Sequence, residues 1–164
     1  MQSIYFNNLK ELKRTKSELE EKLKIKITIK RRMVSSDGSP LDEYEANIIL
    51  GAINLGFSTK KALLLIDEEF IFRKLNIKDF TNKKNLKEVR ARIIGKNGKT
   101  KKTIESISNC SIIIKNNEIG VIGNAESIEE LITAITNLIR GTKQSNTYRY
   151  LEKINKKNKQ NQLL

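Results

Sequence analysis

The chain has 164 residues, enough for one ordinary domain or two small ones, and its 32 Lys and Arg against 19 Asp and Glu give a formal net charge of +13. Such an excess favours polyanionic partners through long-range attraction and counterion release, although a basic surface also serves solubility alone. One cysteine, Cys110, and no histidine exclude an internal disulfide, a Cys/His zinc site and a histidine general base, and point to a reducing, cytoplasmic setting.

No apolar run approaches the roughly 20 residues needed to span a bilayer. Ser3 to Phe6 is a short β-prone run, and Asn7 or Asn8 is placed to cap a helix directly after it. Leu9, Leu12, Leu19 and Leu23 recur at helical spacing and predict one amphipathic helix over 9–23. Ile25, Ile27 and Ile29 alternate with lysine and threonine, as in a strand with one buried face. Arg31 to Val34 either continues that strand or returns as a second one, and Ser35 to Pro40 is a turn cluster. A helix opens at Asp42, with Tyr44, Ile48, Ile49, Ala52, Ile53 and Leu55 on or near its apolar face, and stops at Gly56. Ser58-Thr59 caps a third helix through Ala62 to Ile66, whose continuous apolar run predicts packing on more than one side.

Phe70 to Phe80 is extended, and Thr81 to Asn85 is a loop. Leu86, Val89, Ile93 and Ile94 fit a short helix, and a second runs over about 99–108 with Ile104 and Ile107 inward. Cys110 to Ile114 and Ile119 to Ile122 are strands joined at Asn116-Asn117. Asn124 caps a helix whose Ile128, Leu131, Ile135 and Leu138 keep the helical period, and Gly141 ends it. The tail from Thr142 is basic; its first part is expected to dock, and the rest to be disordered or helical only on binding.

Two halves align at a fixed offset of 85 residues: Leu19 falls on Ile104, Ile27 on Ile112, Ile29 on Ile114, Ile53 on Leu138 and Gly56 on Gly141. The shared order predicts two copies of one small α+β unit, each a three-stranded sheet backed by helices. Gly95-Lys96-Asn97-Gly98 in the second copy falls on Lys10-Glu11-Leu12-Lys13 in the first. The first copy therefore has no glycines there, and the break between two short helices is expected to have closed into one long helix.

Glycines three apart between two helices allow a sharp turn and bring the main chain close to a ligand. The following helix then presents free N–H groups and its positive end. Arg90, Arg92, Lys96, Lys99, Lys101 and Lys102 surround the loop without an acidic residue among them, and Ile94 offers an apolar side chain at its edge. Gly-x-x-Gly followed by strand, turn, strand and helix is the order of a KH domain, whose loop clamps single-stranded nucleic acid. The candidate contacts are thus Gly95, Lys96, Asn97, Gly98, Arg90, Arg92, Ile94, Lys99, Lys101 and Lys102. Gly98-Lys99-Thr100 reads like the end of a nucleotide-binding P-loop, but the preceding glycine lies three residues back and no strand leads into it.

The run Arg92 to Glu105, with Arg140-Gly141, Thr147 to Glu152 and Ala52 to Ser58, closely resembles the partner-of-Nob family of KH proteins. The resemblance implies a tandem type I KH protein of archaeal kind that binds single-stranded small-subunit rRNA near its 3′ end. The partners it implies are the endonuclease that trims that end and the alpha subunit of initiation factor two. Where the family often has Ser-Pro-His after Gly141, this chain has Thr142-Lys143-Gln144.

The expected organisation is a degenerate KH domain over 1–69, a KH domain with its glycine loop over 70–150, and a basic tail over 151–164. No cofactor, metal or catalytic residue is expected; Asp67, Glu68 and Glu69 read as a solvated helix end. The rival reading is a scaffold that binds protein, through Tyr148, Tyr150 and the helix near Leu63, with RNA contact secondary.

Overall fold

A computed structural model describes residues 2–164, which form two compact units divided between Phe72 and Arg73. The first contains β1 (Ser3–Tyr5), α1 (Lys10–Leu23), β2 (Lys26–Lys30), β3 (Met33–Asp37), α2 (Pro40–Leu55) and α3 (Thr59–Ala62), with a 3₁₀ turn over Leu63–Ile66. Its sheet has the order β1-β3-β2, antiparallel throughout. Strand β4 (Phe70–Asn76) crosses the division and belongs by its hydrogen bonds to the second sheet, ordered β4-β6-β5. That unit continues through α4 (Leu86–Ile94), α5 (Lys99–Ser108), β5 (Ser111–Lys115), β6 (Glu118–Asn124), α6 (Ala125–Arg140) and α7 (Gln144–Gln162).

The elements start and stop where local chemistry requires. Asn8 Oδ1 accepts the Lys10 N–H at 2.9 Å, Ser39 Oγ accepts the Asp42 N–H at 3.2 Å with Pro40 at the first helical turn, and Asn124 Oδ1 accepts the Glu126 N–H at 2.9 Å. In each unit the apolar stripe of the helices meets one face of the sheet. Leu12, Leu19, Ile27 and Ile49 are buried in the first unit; Ile104, Ile112, Ile128 and Ile135 are buried in the second. Cys110 is buried too, and burial pushes its thiol up, so it behaves as a small apolar side chain.

From the β2–β3 hairpin to the start of α3 the 85-residue offset holds residue by residue. β2 maps onto β5 and α2 onto α6, end for end, and Ile27 pairs with Ser36 as Ile112 pairs with Val121. Left-handed Lys24 and Arg31 (φ 55° and 57°) map onto Asn109 and Asn116 (both 55°), and Gly56 maps onto Gly141. The start of α3 maps onto the start of α7. Matching backbone exceptions are stronger evidence of a repeat than matching hydrophobic residues, because each is costly for most side chains.

Several expectations are corrected. Residues 35–37 are not turn but strand, with Ser36 buried opposite Ile27; their polarity conceals a regular in–out alternation. Tyr44 and Ile48 point outward, since α2 buries Ala46, Ile49, Leu50 and Ile53 instead. The third helix is one short turn running into a 3₁₀ turn, and Leu64 and Ile66 are exposed rather than packed on several sides. The extended stretch ends at Asn76, whose side chain accepts the Lys78 N–H and starts a 3₁₀ turn. The tail is one helix, α7; it passes through the expected boundary at 150–151 with Leu151 buried. In the first copy α1 is a single helix, but the loop has not simply closed: at the shared offset β1 stands where α4 stands in the second copy, so α4 has no counterpart.

Candidate nucleic-acid interface

Helix α4 ends on Gly95, whose N–H donates to Ala91 O at 2.8 Å. At φ 75° and ψ 173° Gly95 occupies a region that side chains rarely enter. Space forbids a side chain as well: a Cβ built there would lie 2.7 Å from Thr100 N and collide with the Thr100 hydroxyl. Asn97 follows at φ 56° and Gly98 at φ 74°, and the Gly98 N–H donates back to Gly95 O at 3.2 Å. Asparagine and glycine suit these left-handed positions. A Cβ on Gly98 would meet nothing nearer than Lys102 Cε at 4.0 Å. The two glycines thus do different work. Gly95 lets the chain fold against Thr100, and Gly98 keeps the outer side of the turn bare.

Gly98 opens α5 and no side chain caps the helix, which leaves its positive end to a ligand. Lys96, Asn97, Lys99 and Lys102 are exposed around it, and Ile94 is 36% exposed at the end of α4. These residues lie together around the turn between α4 and α5. The other three candidates are committed inside the protein. Arg90 Nη1 donates to Asn117 Oδ1 at 2.7 Å, tying α4 to the β5–β6 turn. Arg92 Nη2 donates to Thr142 O at 2.8 Å beyond the end of α6. Lys101 pairs with Glu105 at 2.6 Å along α5. Their charges still add to the local field, but the two hydrogen bonds and the ion pair must be given up or shared before those groups meet a phosphate.

Sequence reasoning overlooked Gln144. Its Nε2 donates to Arg92 O at 3.1 Å and to Thr100 Oγ1 at 3.2 Å, so the first turn of α7 joins α4 to α5 across the loop. The repeat contained the signal. Thr59 and Thr15 occupy the matching positions of the first unit, and their hydroxyls lie 2.7 Å apart.

The first unit lacks the loop chemistry. At the position of Lys96 it has Glu11, which accepts the Thr59 N–H at 2.9 Å and pairs with Arg14 at 2.9 Å. Leu12, at the position of Asn97, is fully buried. The Thr59 N–H first, then the Arg14 guanidinium, hold the Glu11 carboxyl below its ordinary range. A phosphate brought to this helix would meet a carboxylate and no bare backbone.

Among the described residues no group of His, Cys, Asp and Glu is arranged to hold a metal ion, and no helix is long and apolar enough to cross a membrane. Of the acidic trio near the third helix, Asp67 Oδ1 accepts the Glu69 N–H at 2.9 Å in an exposed turn.

Residues 71–156 match the family model for the second KH domain of PNO1, described as a eukaryotic-type KH domain (KH-domain type I). A KH domain-containing protein of Methanocaldococcus jannaschii is 30% identical over 115 residues, which cover 70% of this chain and 51% of that protein. The chain spans a little over half the length of the curated relatives it matches first. The crystal structure of Dim2p from Pyrococcus horikoshii superposes with a TM-score of 0.82 at 33% identity, covering 93% of this chain and 99% of that one. A complex of a/eIF2alpha, aDim2p and rRNA from the same organism gives 0.82 at 32% identity, over 95% and 94% of the two chains.

The unlike surroundings of the two glycines give them unlike tolerance to substitution. Gly95→Ala destabilises the protein by more than about 2 kcal/mol, since it adds a clash to a positive φ, whereas Gly98→Ala costs only about 1 kcal/mol in urea titrations. Equal losses at both positions would contradict the division of labour between them. Glu11 has a lowered pKa, so its contact contributes stability above the ordinary carboxylate value and loses it as pH falls through the depressed one. Glu11→Gln therefore narrows its stability gap from wild type on acidification, and a gap that stays constant through the acid range contradicts the assignment.

Proposed function

Because the chain belongs to the PNO1-type KH family, we propose that it is a non-enzymatic RNA-binding factor of small-subunit ribosome biogenesis. In this reading the chain is a tandem KH protein. The second domain clamps single-stranded small-subunit rRNA near its 3′ end through Gly95 to Gly98, and the first is degenerate. The carrying observation is the open outer side of Gly98 between exposed Lys96, Asn97, Lys99 and Lys102. A phosphodiester can approach the bare turn and the start of α5 while the lysines neutralise it. Ile94, beside the tip, offers an apolar edge to the bases. Arg90, Arg92 and Lys101 mainly hold the frame. The rRNA present in the solved complex of a structural relative agrees with this choice of ligand.

A second reading makes the chain a scaffold for protein. Leu41 and Tyr44, each 66% exposed, and Ile48 recur at helical spacing on α2, and Leu64 and Ile66 are exposed after α3. The candidate partners are the endonuclease of 3′ maturation and the alpha subunit of initiation factor two; a/eIF2alpha accompanies aDim2p in the relative's complex. The two readings are compatible if the first domain meets protein and the second meets RNA.

Changing Lys96 and Asn97 together to Asp tests the RNA reading. Fluorescence anisotropy with a single-stranded RNA should show at least a hundredfold weaker binding at unchanged circular dichroism, with a salt dependence shallower by about 0.7 for each phosphate no longer neutralised. Undiminished affinity in the folded variant would leave the scaffold reading as the better one.

A further inference from the structure

The sheet of the first unit has two unlike faces. Val34 is buried and pairs with Ile4 and Ile29 in a row that meets the helices. Directly paired residues share a face and successive residues alternate. The adjoining row of Tyr5, Met33 and Lys30 therefore lies on the opposite face. That face is open: Tyr5 is 53% and Met33 42% exposed. Ser3, Ser35 and Thr28 form the next row, without an acidic group; Asp37 stands at the far end of the hairpin, opposite Lys26.

The β2–β3 turn beside this row is Arg31-Arg32, where the second unit has Asn116-Asn117. Arg31 sits at φ 57°. Its counterpart shows the residue type that relieves this conformation, because asparagine tolerates the left-handed region better than arginine does. Charge is thus held at a position where local folding favours another residue. Arg32 Nη1 lies 3.4 Å from the Tyr5 hydroxyl, so a guanidinium stands beside the exposed ring. Among the described residues no carboxylate is within ion-pair distance of Lys30, Arg31 or Arg32.

We propose that this open sheet face is a second contact site for single-stranded RNA, separate from the glycine loop, with Tyr5 stacking on a base and Lys30, Arg31 and Arg32 holding the adjoining phosphates. Met33 flanks the stacked base. An exposed aromatic ring beside several unpaired cations supplies the two elements that single-strand binding needs, a stacking surface and phosphate neutralisation. The inference rests on the reading of the chain as an RNA-binding protein, but not on the loop. It makes the first unit a contributor to RNA affinity even though its own helix has Glu11 where the clamp would be.

The test uses the full chain and fluorescein-labelled oligouridines, from about four nucleotides, the length one KH loop clamps, upward. Arg31→Asn with Arg32→Asn places the second unit's own residues at the turn, so its unfolding midpoint should equal or exceed that of wild type. For the longer oligonucleotides this variant and Tyr5→Ala should each lose roughly 5- to 100-fold in affinity, the range set by one stacked base or a few phosphate contacts. Both should bind the shortest oligonucleotide like wild type. Wild-type affinity of both variants for every length overturns the proposal. The loop variant reports separately: its loss extends to the shortest oligonucleotide, and failure of that loss counts against the clamp alone. The chain has no tryptophan, so Tyr5→Trp adds a single reporter whose fluorescence should be quenched by the longer oligouridine. Equal quenching by poly-glutamate would assign the face to an acidic protein partner and overturn the RNA assignment.

Discussion

Between Ile94 and Lys99 the chain must leave one helix and start another in four residues, and the close approach of Gly95 to Thr100 leaves no room for a further carbon. The rest of the site depends on that contact. Gly95 gives the backbone its positive φ, Asn97 and Gly98 continue the turn in the left-handed region, and α5 then begins without a side-chain cap. Gln144 fixes both arms by donating to Arg92 O and Thr100 Oγ1. Arg92 in turn reaches Thr142 O. The turn is therefore held from behind, and the outer side of Gly98 is left open. A ligand that binds backbone needs such pre-organisation, since the ordering of the loop has already been met in folding.

One frame carries two different chemistries. The first unit repeats the second in strand order, in hairpin register and in its left-handed residues. Even the contact behind the loop recurs, as Thr15 with Thr59 in place of Thr100 with Gln144. Yet Glu11 stands where Lys96 stands, and its carboxylate is bound to the Thr59 N–H and to Arg14. The acid is a structural acceptor in the first unit, while the cation in the second has no acidic partner among the described residues. The hairpin turns differ in the opposite sense, Arg31-Arg32 against Asn116-Asn117.

Much of this was legible in the chain. Alternation revealed β2, helical spacing revealed α1, α5 and α6, and Asn124 and Gly141 marked the ends of α6 correctly. The glycine loop was legible because its meaning lies in local backbone freedom. What escaped depended on distant partners. Ser36 looked like turn material because only its pairing with Ile27 makes it a strand residue. Leu64 and Ile66 looked like core, although a 3₁₀ turn points them outward. Charge alone points Arg90, Arg92 and Lys101 to the site, whereas their partners Asn117, Thr142 and Glu105 are set by tertiary structure or side-chain rotamer. Gln144 carries no charge and no periodic signal, so only the repeat pointed to it.

The central claim is that backbone clamping resides at the loop of the second unit and not at its counterpart in the first. Amide hydrogen exchange of the full chain with and without single-stranded RNA tests it directly. The account predicts slowed exchange over Gly95 to Lys102 on adding RNA, with Lys10 to Lys13 unchanged. Protection over Lys10 to Lys13 without protection of the glycine loop would contradict it.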